Sequence, residues 1–135
     1  MVGYIADRYR PGDLILIDYS RTPLVVYGPR EGLRDAVART VWPPPRTCTG
    51  RVELTLRRRY RRVWLTWGHD LSGRPANLRD AYRARLATVG AKVDSYHRTG
   101  AGTDLYDLTR PPEDPGGTNP LLRTPAGRCL FIPVL

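Results

Sequence analysis

The sequence predicts a small three-layer α/β domain, Rossmann-like, with a mostly parallel sheet and an antiparallel hairpin at its C-terminal edge. Two short apolar runs, residues 13–18 and 62–68, have the composition of strands buried on both faces. Helical patterns precede or follow these runs, as in parallel α/β units. Two alternating segments, residues 92–98 and 104–109, are joined by the glycine-containing stretch 99–102, which is typical of a hairpin.

The chain has 135 residues, which suits one domain with a modest core. We place the α/β domain at residues 1–110. Residues 111–135 are a tail rich in proline and glycine, with an apolar end that is able to dock back on the domain.

The first strand, at residues 13–18, has four consecutive aliphatic residues between two carboxylates. A helix over residues 2–10 is predicted before it. Val2, Ile5 and Tyr9 share one face of that helix, and the Pro-Gly that follows ends it.

The segment between the two apolar runs is less regular. A short helix is predicted at residues 22–27, because Thr22 and Pro23 suit the N-cap and the first helical position. The two valines of this segment leave a strand as the competing interpretation. For residues 30–50 the sequence allows either a short strand or a helical turn, followed by three prolines. Residues 51–61 fit a strand or a helix, and we predict a helix because it would complete an αβ unit.

The central strand is predicted at residues 62–68, where Trp64 and Trp67 are expected to pack in the core. The strongest helical pattern follows, with Asn77 as its N-cap and Gly90 closing its C-terminal end. Its apolar positions recur at helical spacing: Leu78, Tyr82, Leu86, Val89 and Val93.

Polar side chains follow both buried strands. In open α/β sheets, ligands bind at the carboxyl ends of the strands, so the two loops are expected to form a polar pocket. The alternative interpretation is that these are ordinary solvated loop residues. His69 could act as a general base with Asp70 as its orienting carboxylate only if the two side chains faced each other. Adjacent residues rarely do, so we assign no catalytic residue. No cofactor motif is present. The candidate pocket residues are Asp18, Tyr19, Ser20, Arg21, His69 and Asp70.

Two cysteines, Cys48 and Cys129, lie in turn-rich segments far apart in the sequence. Their surroundings support no metal site. A disulfide between them in an oxidising compartment and two unrelated buried thiols are both consistent with the sequence.

The net charge of +9 and the pI near 10.2 favour an anionic partner. Nucleic acid, an anionic membrane surface and a phosphate-bearing substrate all fit. Lys92 is the sole lysine, and all other basic residues counted in the charge are arginine. A GC-rich genome favours arginine codons, so codon usage also explains part of this charge. The basic run 57–62 carries one tyrosine, yet the chain has no helix-turn-helix spacing, zinc ligands or RNA-binding aromatic pattern. Nucleic acid is therefore the less favoured partner.

No apolar run approaches the roughly 20 residues of a membrane span. Charged residues also occupy the first twenty positions, where a signal peptide has its apolar region.

Three segments together carry a family resemblance. Residues 6–20 hold a Pro-Gly-Asp turn and an apolar strand, and residues 62–69 hold an Arg-Val-Trp strand that ends in Gly-His. The helix at residues 77–93 leads to Tyr-Asp-Leu at 106–108. In this order and spacing they resemble the soluble, extracytoplasmic C-terminal region of bacterial membrane glycosyltransferases of the GT-C superfamily, the protein-mannosyltransferase-like enzymes. The resemblance spans residues 2–110, and residues 28–61 within it match nothing in the family.

The resemblance implies an accessory α/β domain of a transferase that uses a polyprenyl-phosphate-linked sugar donor. The domain would shape acceptor or glycan access, while the transfer itself would belong to membrane helices and an acidic catalytic loop that are not in this sequence. The implied partners are an upstream transmembrane region, a glycan or the polyprenyl-phosphate donor, and an anionic membrane surface. The implied location is the extracytoplasmic face of the bacterial cell membrane. The alternative is a stand-alone cytoplasmic basic α/β module that binds nucleic acid or a protein partner.

Overall fold

The computed structural model describes residues 1–18, 22–40, 59–68 and 77–115. These residues form one five-stranded sheet with strand order β2-β1-β3-β5-β4 and helices on both of its faces. Strand β3 therefore lies at the centre of the sheet. In chain order the elements are α1 (Val2–Ala6), β1 (Leu14–Asp18), α2 (Thr22–Tyr27), β2 (Val37–Thr40), β3 (Arg62–Gly68), α3 (Asn77–Val89), β4 (Ala91–Arg98) and β5 (Ala101–Asp107).

The sheet is mixed, and the prediction that it is mostly parallel is wrong. Strand β1 pairs in parallel with β2 and β3, whereas β5 pairs antiparallel with both β3 and β4. The hairpin therefore places its second strand, not its first, beside β3. Burial explains the choice, because the interior of β5 is buried while β4 is largely exposed and polar. The more apolar strand takes the inner position.

The central strand is confirmed as a strand buried on both faces. Every residue from Val63 to Trp67 is buried, and Trp64 is 0% exposed. Alternate residues of β1 and β3 point to opposite faces, so each strand contributes to two cores. One core lies under α3 and includes Leu65 and Tyr82. The other lies under α1 and α2 and includes Ile5 and Trp64. Helices on both faces give the three predicted layers.

Several element boundaries differ from the prediction. Helix α1 ends at Ala6 rather than at residue 10. Strand β2 forms within the segment that the sequence left open. Val93 belongs to β4 and is 38% exposed, so its placement on the helical face was wrong. Gly90 ends the helix because the chain passes close to β5 there: a Cβ at Gly90 would lie 2.6 Å from the Asp107 carbonyl oxygen.

The hairpin is confirmed, with a tighter connection than predicted. Strand β5 begins at Ala101, so only Thr99 and Gly100 join the two strands. Gly100 has a φ of 73°, a conformation that favours glycine and suits a two-residue hairpin turn.

The first residues of the proline-rich segment contact the domain. The Glu113 N–H donates to the Gly90 carbonyl oxygen at 3.2 Å, and the Asp114 N–H donates to that of Ala87 at 3.0 Å. Residues 51–58 of the helix predicted at 51–61 lie outside the described residues, as do residues 116–135, Cys48 and Cys129. Within the described parts of the chain, no helix is long and apolar enough to cross a membrane.

Candidate functional site

The carboxyl ends of β1 and β3 lie side by side. The two strands are parallel, and Asp18 at the end of β1 is in register with Trp67 near the end of β3. The loops that carry the predicted polar pocket therefore leave the sheet from the same edge. Tyr19, Ser20, Arg21, His69 and Asp70 lie outside the described residues, so the pocket itself stays a prediction.

A buried carboxylate with two cationic or titratable partners lies near this edge, on the face covered by α3. Asp104 of β5 is 0% exposed. The Arg83 Nε donates to its Oδ2 at 2.8 Å, and the His97 Nε2 lies 2.8 Å from its Oδ1. These contacts tie α3, β4 and β5 together. They also offset the cost of burying a charge, which is large for an unpaired carboxylate.

Trp67 lies under the same group. The Arg83 guanidinium carbon is 4.5 Å from the Trp67 ring centroid, and the His97 ring meets it edge-on with centroids 5.1 Å apart. Gly102 of β5 lies against the indole, since a Cβ there would be 2.4 Å from Trp67 Cζ2. We call Trp67, Arg83, His97 and Asp104 the edge cluster.

The edge cluster presents His97 and Arg83, but not Asp104, to a ligand. The His97 side chain is 49% exposed and that of Arg83 is 28% exposed, whereas Asp104 is fully covered. A carboxylate only accepts hydrogen bonds, so His97 carries a proton on Nε2 and its Nδ1 is left as an acceptor when the ring is neutral. Nδ1 has no hydrogen-bond partner among the described residues. An acceptor on a half-exposed ring, beside a guanidinium donor, suits a ligand with hydroxyl groups.

The Asp104 charge also acts on its neighbour in β5. Burial is the main cause that raises the pKa of the Tyr106 hydroxyl, and the Asp104 carboxylate raises it further. Tyr106 is therefore neutral in the folded protein at physiological pH.

A second buried carboxylate lies at the opposite end of strands β1 and β3, where both strands begin. Asp13, just before β1, is 3% exposed. Its Oδ1 accepts from the Arg62 Nε at 2.9 Å, and its Oδ2 accepts from the Trp64 Nε1 and the Arg10 N–H, both at 3.0 Å. These bonds join the starts of β1 and β3, which assigns Asp13 a structural role.

The edge cluster was not predicted from the sequence. The predicted hairpin was the one feature of the sequence that could have indicated the contact between His97 and Asp104. Its register places His97 opposite Gly102, which puts Asp104 on the same face two residues along. Arg83 comes from α3, and nothing in the sequence pairs it with Asp104.

The chain matches no protein-family model, no curated protein and no solved structure. The resemblance to the GT-C transferases therefore rests on the three sequence segments. Within the described residues, no group of three or more His, Cys, Asp or Glu side chains is placed to hold a metal ion.

Proposed function

We propose that this chain is an accessory domain of a membrane glycosyltransferase that uses a polyprenyl-phosphate-linked sugar donor. The observation that carries the proposal is the placement of the three segments that resemble this family. The first provides β1, the second provides β3, and the third provides α3 and the hairpin that pairs with β3. The segment that matches nothing provides β2, at the outer edge of the sheet. The matching segments thus make one continuous core.

The buried carboxylates support an accessory role rather than a catalytic one. Both oxygens of Asp13 and of Asp104 are bonded to cationic or ring N–H donors. A carboxylate that acts as a general base must reach the proton it removes, and these two are covered and occupied. In the proposal, the transfer takes place on another part of the complete enzyme.

The edge cluster supports a role in acceptor or glycan access. It combines half-exposed polar groups with a rigid aromatic base, and the loops after β1 and β3 leave the sheet at the same edge. Sugar hydroxyls both donate and accept hydrogen bonds, so His97 Nδ1 and the Arg83 guanidinium match them. The proposed acceptor side of the domain is therefore this edge.

The test is steady-state kinetics of the complete membrane-bound transferase with His97→Gln. We expect the KM for the acceptor to rise about tenfold, which is the effect of losing one hydrogen bond to a polar ligand. The kcat and the KM for the lipid-linked donor should change less than about twofold. The matched control is Arg98→Gln, which alters the next residue of β4, whose guanidinium lies over Tyr96 instead. An equal effect of the control, or a collapse of kcat with an unchanged acceptor KM, would overturn the assignment.

The charge favours one second candidate, nucleic-acid binding. Tyr4 and Tyr96 stack with centroids 4.7 Å apart, and the guanidiniums of Arg8 and Arg98 lie over their rings. Arg8 also pairs with Asp94, so the features that fit a nucleic-acid backbone are the exposed Arg98 and the net charge of +9. Binding to random single-stranded DNA that weakens at least tenfold between about 50 and 200 mM salt would favour this candidate. A lack of binding at low salt would eliminate it.

A further inference from the structure

The two oxygens of Asp104 are divided between two different partners. Oδ2 accepts from the Arg83 Nε at 2.8 Å, and Oδ1 lies 2.8 Å from the His97 Nε2. The residue is 0% exposed, so neither oxygen is open to bulk water. One buried carboxylate therefore bonds two side chains that both reach the surface of the edge cluster.

The chemistry of the three groups fixes the direction of both hydrogen bonds. An arginine can only donate, so Oδ2 accepts. An ionised carboxylate can only accept, so His97 donates from Nε2. A neutral imidazole has one ring proton, and Nδ1 is then an acceptor. Because the His97 side chain is half-exposed, a constraint that arises inside the protein sets the hydrogen-bonding character of a surface group.

We propose that Asp104 is a positioning residue that fixes the tautomer of His97, and that the edge cluster thereby selects a ligand that donates a hydroxyl hydrogen to Nδ1. The identification of this ligand with the sugar acceptor rests on the proposed function. The selection itself depends only on which ring nitrogen carries the proton.

Arg83 completes the match to a sugar. Its guanidinium and the His97 ring both lie against the Trp67 indole, so one ligand can meet an acceptor and a donor together. A hydroxyl beside a second oxygen, as in the vicinal diol of a sugar, satisfies both groups. A ligand whose oxygens only accept, such as an ether, satisfies Arg83 and leaves Nδ1 without a donor.

The substitution Asp104→Asn inverts this preference with little change of shape. Arg83 still requires an acceptor, so the asparagine oxygen faces the guanidinium. The asparagine N–H₂ then faces His97, and Nε2 has to accept from it. The ring proton moves to Nδ1, which becomes a donor. The variant therefore loses the preference for a hydroxyl at this position.

The first measurement locates the ring proton by nitrogen and proton NMR of the full 135-residue chain, at a pH at which the ring is neutral. The chain has two histidines, so His69→Gln assigns the His97 signals. We expect the proton on Nε2 in the wild type and on Nδ1 in Asp104→Asn. A ring that merely came loose would have no reason to move its proton to Nδ1. The matched control is Asp80→Asn, which removes a more exposed carboxylate 3.6 Å from the Arg83 Nη1 and should leave the proton on Nε2.

The second measurement is binding of two probes, methyl glucoside and its tetra-O-methyl ether, followed through the His97 ring signals. Both probes accept hydrogen bonds, and only the first donates them. The wild type should bind methyl glucoside about three- to tenfold more tightly than the ether, which is the effect of one hydrogen bond. Asp104→Asn should lose this preference, and Asp80→Asn should keep it. Comparison of the same two probes across the variants cancels the effect of the added methyl groups.

Two sets of results would overturn the proposal. The first is a wild-type ring with its proton on Nδ1, or an Asp104→Asn ring with its proton on Nε2. The second is an equal preference of wild type and Asp104→Asn for the two probes, or no binding of either probe to the wild type. The wild-type measurements stand even if Asp104→Asn fails to fold. The proposed function is tested separately through acceptor kinetics, so its failure would leave the tautomer and the probe selection in place.

Discussion

The substitution Asp104→Asn tests whether the edge cluster is held by a charged carboxylate. Asparagine keeps the size of the side chain and one oxygen. That oxygen can accept from Arg83, and the amide N–H₂ can donate to His97 if the ring moves its proton to Nδ1. The variant therefore changes the charge of the group and the tautomer of His97 more than the shape of the core.

The cost follows from the two bonds. The pair with Arg83 changes from an ion pair to a hydrogen bond with one charged partner, and the bond to a neutral His97 changes from charged to neutral. A hydrogen bond to a charged group contributes about 1.5–3 kcal/mol and a neutral one about 0.5–1.5 kcal/mol, so we expect each of the two contacts to lose about 1 kcal/mol. Arg83 is 28% exposed and recovers some hydration, which keeps the total below the 3–5 kcal/mol expected for breaking a fully buried pair. We expect the free energy of unfolding to fall by about 2 kcal/mol and the melting temperature by about 6–10 °C.

The assay is thermal and urea unfolding followed by circular dichroism, with Asp94→Asn as the matched control. Asp94 also binds an arginine and an aromatic residue: its Oδ2 lies 3.3 Å from the Arg8 Nε, and its Oδ1 accepts from the Tyr4 hydroxyl at 2.6 Å. Its side chain is 34% exposed, so the control should lose less than about 1 kcal/mol. If Asp104→Asn destabilises no more than the control, the buried carboxylate does not hold the cluster together.

Two further predictions concern the core around the edge cluster. The raised pKa of Tyr106 means that the folded state favours the neutral phenol, so its contribution is complete below the unfolded pKa of about 10 and is lost as the pH rises above it. In urea unfolding, Tyr106→Phe should lose less stability than the wild type as the pH rises from about 9 to 11. Parallel curves for the two proteins would contradict this. Gly102→Ala should lower the free energy of unfolding by about 1–3 kcal/mol and shift the tryptophan fluorescence, because the new Cβ would overlap Trp67. The control Gly68→Ala places its Cβ in open space and should be close to neutral. Equal unfolding midpoints for the two variants would count against the packing described for Trp67.

Local patterns in the sequence predicted most of the elements. The aliphatic run of β1, the Trp-rich run of β3, helix α3 and the hairpin were all found, because each has its own period or turn residues. The mixed sheet order was not predicted, since the choice of β5 over β4 as the neighbour of β3 depends on the relative burial of two strands. Val93 was misplaced for a related reason: its helical spacing continues past Gly90, where the close approach of β5 ends the helix.

The candidate site was harder to predict than the fold. The parallel pairing of β1 and β3 could be anticipated, and it explains why their loops share an edge. The burial of Asp104 could not be anticipated. A single carboxylate in a predicted strand forms no periodic pattern that would show whether it is buried or exposed. Its burial depends on Arg83, 21 positions earlier on another element. A contact of this kind is fixed by tertiary packing, which no local pattern of the sequence records.

The most direct test of the accessory-domain proposal is to read the coding DNA immediately upstream of Met1. The proposal predicts an open reading frame that continues upstream and encodes several apolar stretches of about 20 residues each. It also predicts acidic residues in the first loop between these stretches. A ribosome-binding site directly before Met1, with no such stretches in frame, would contradict the proposal and leave a stand-alone basic α/β module.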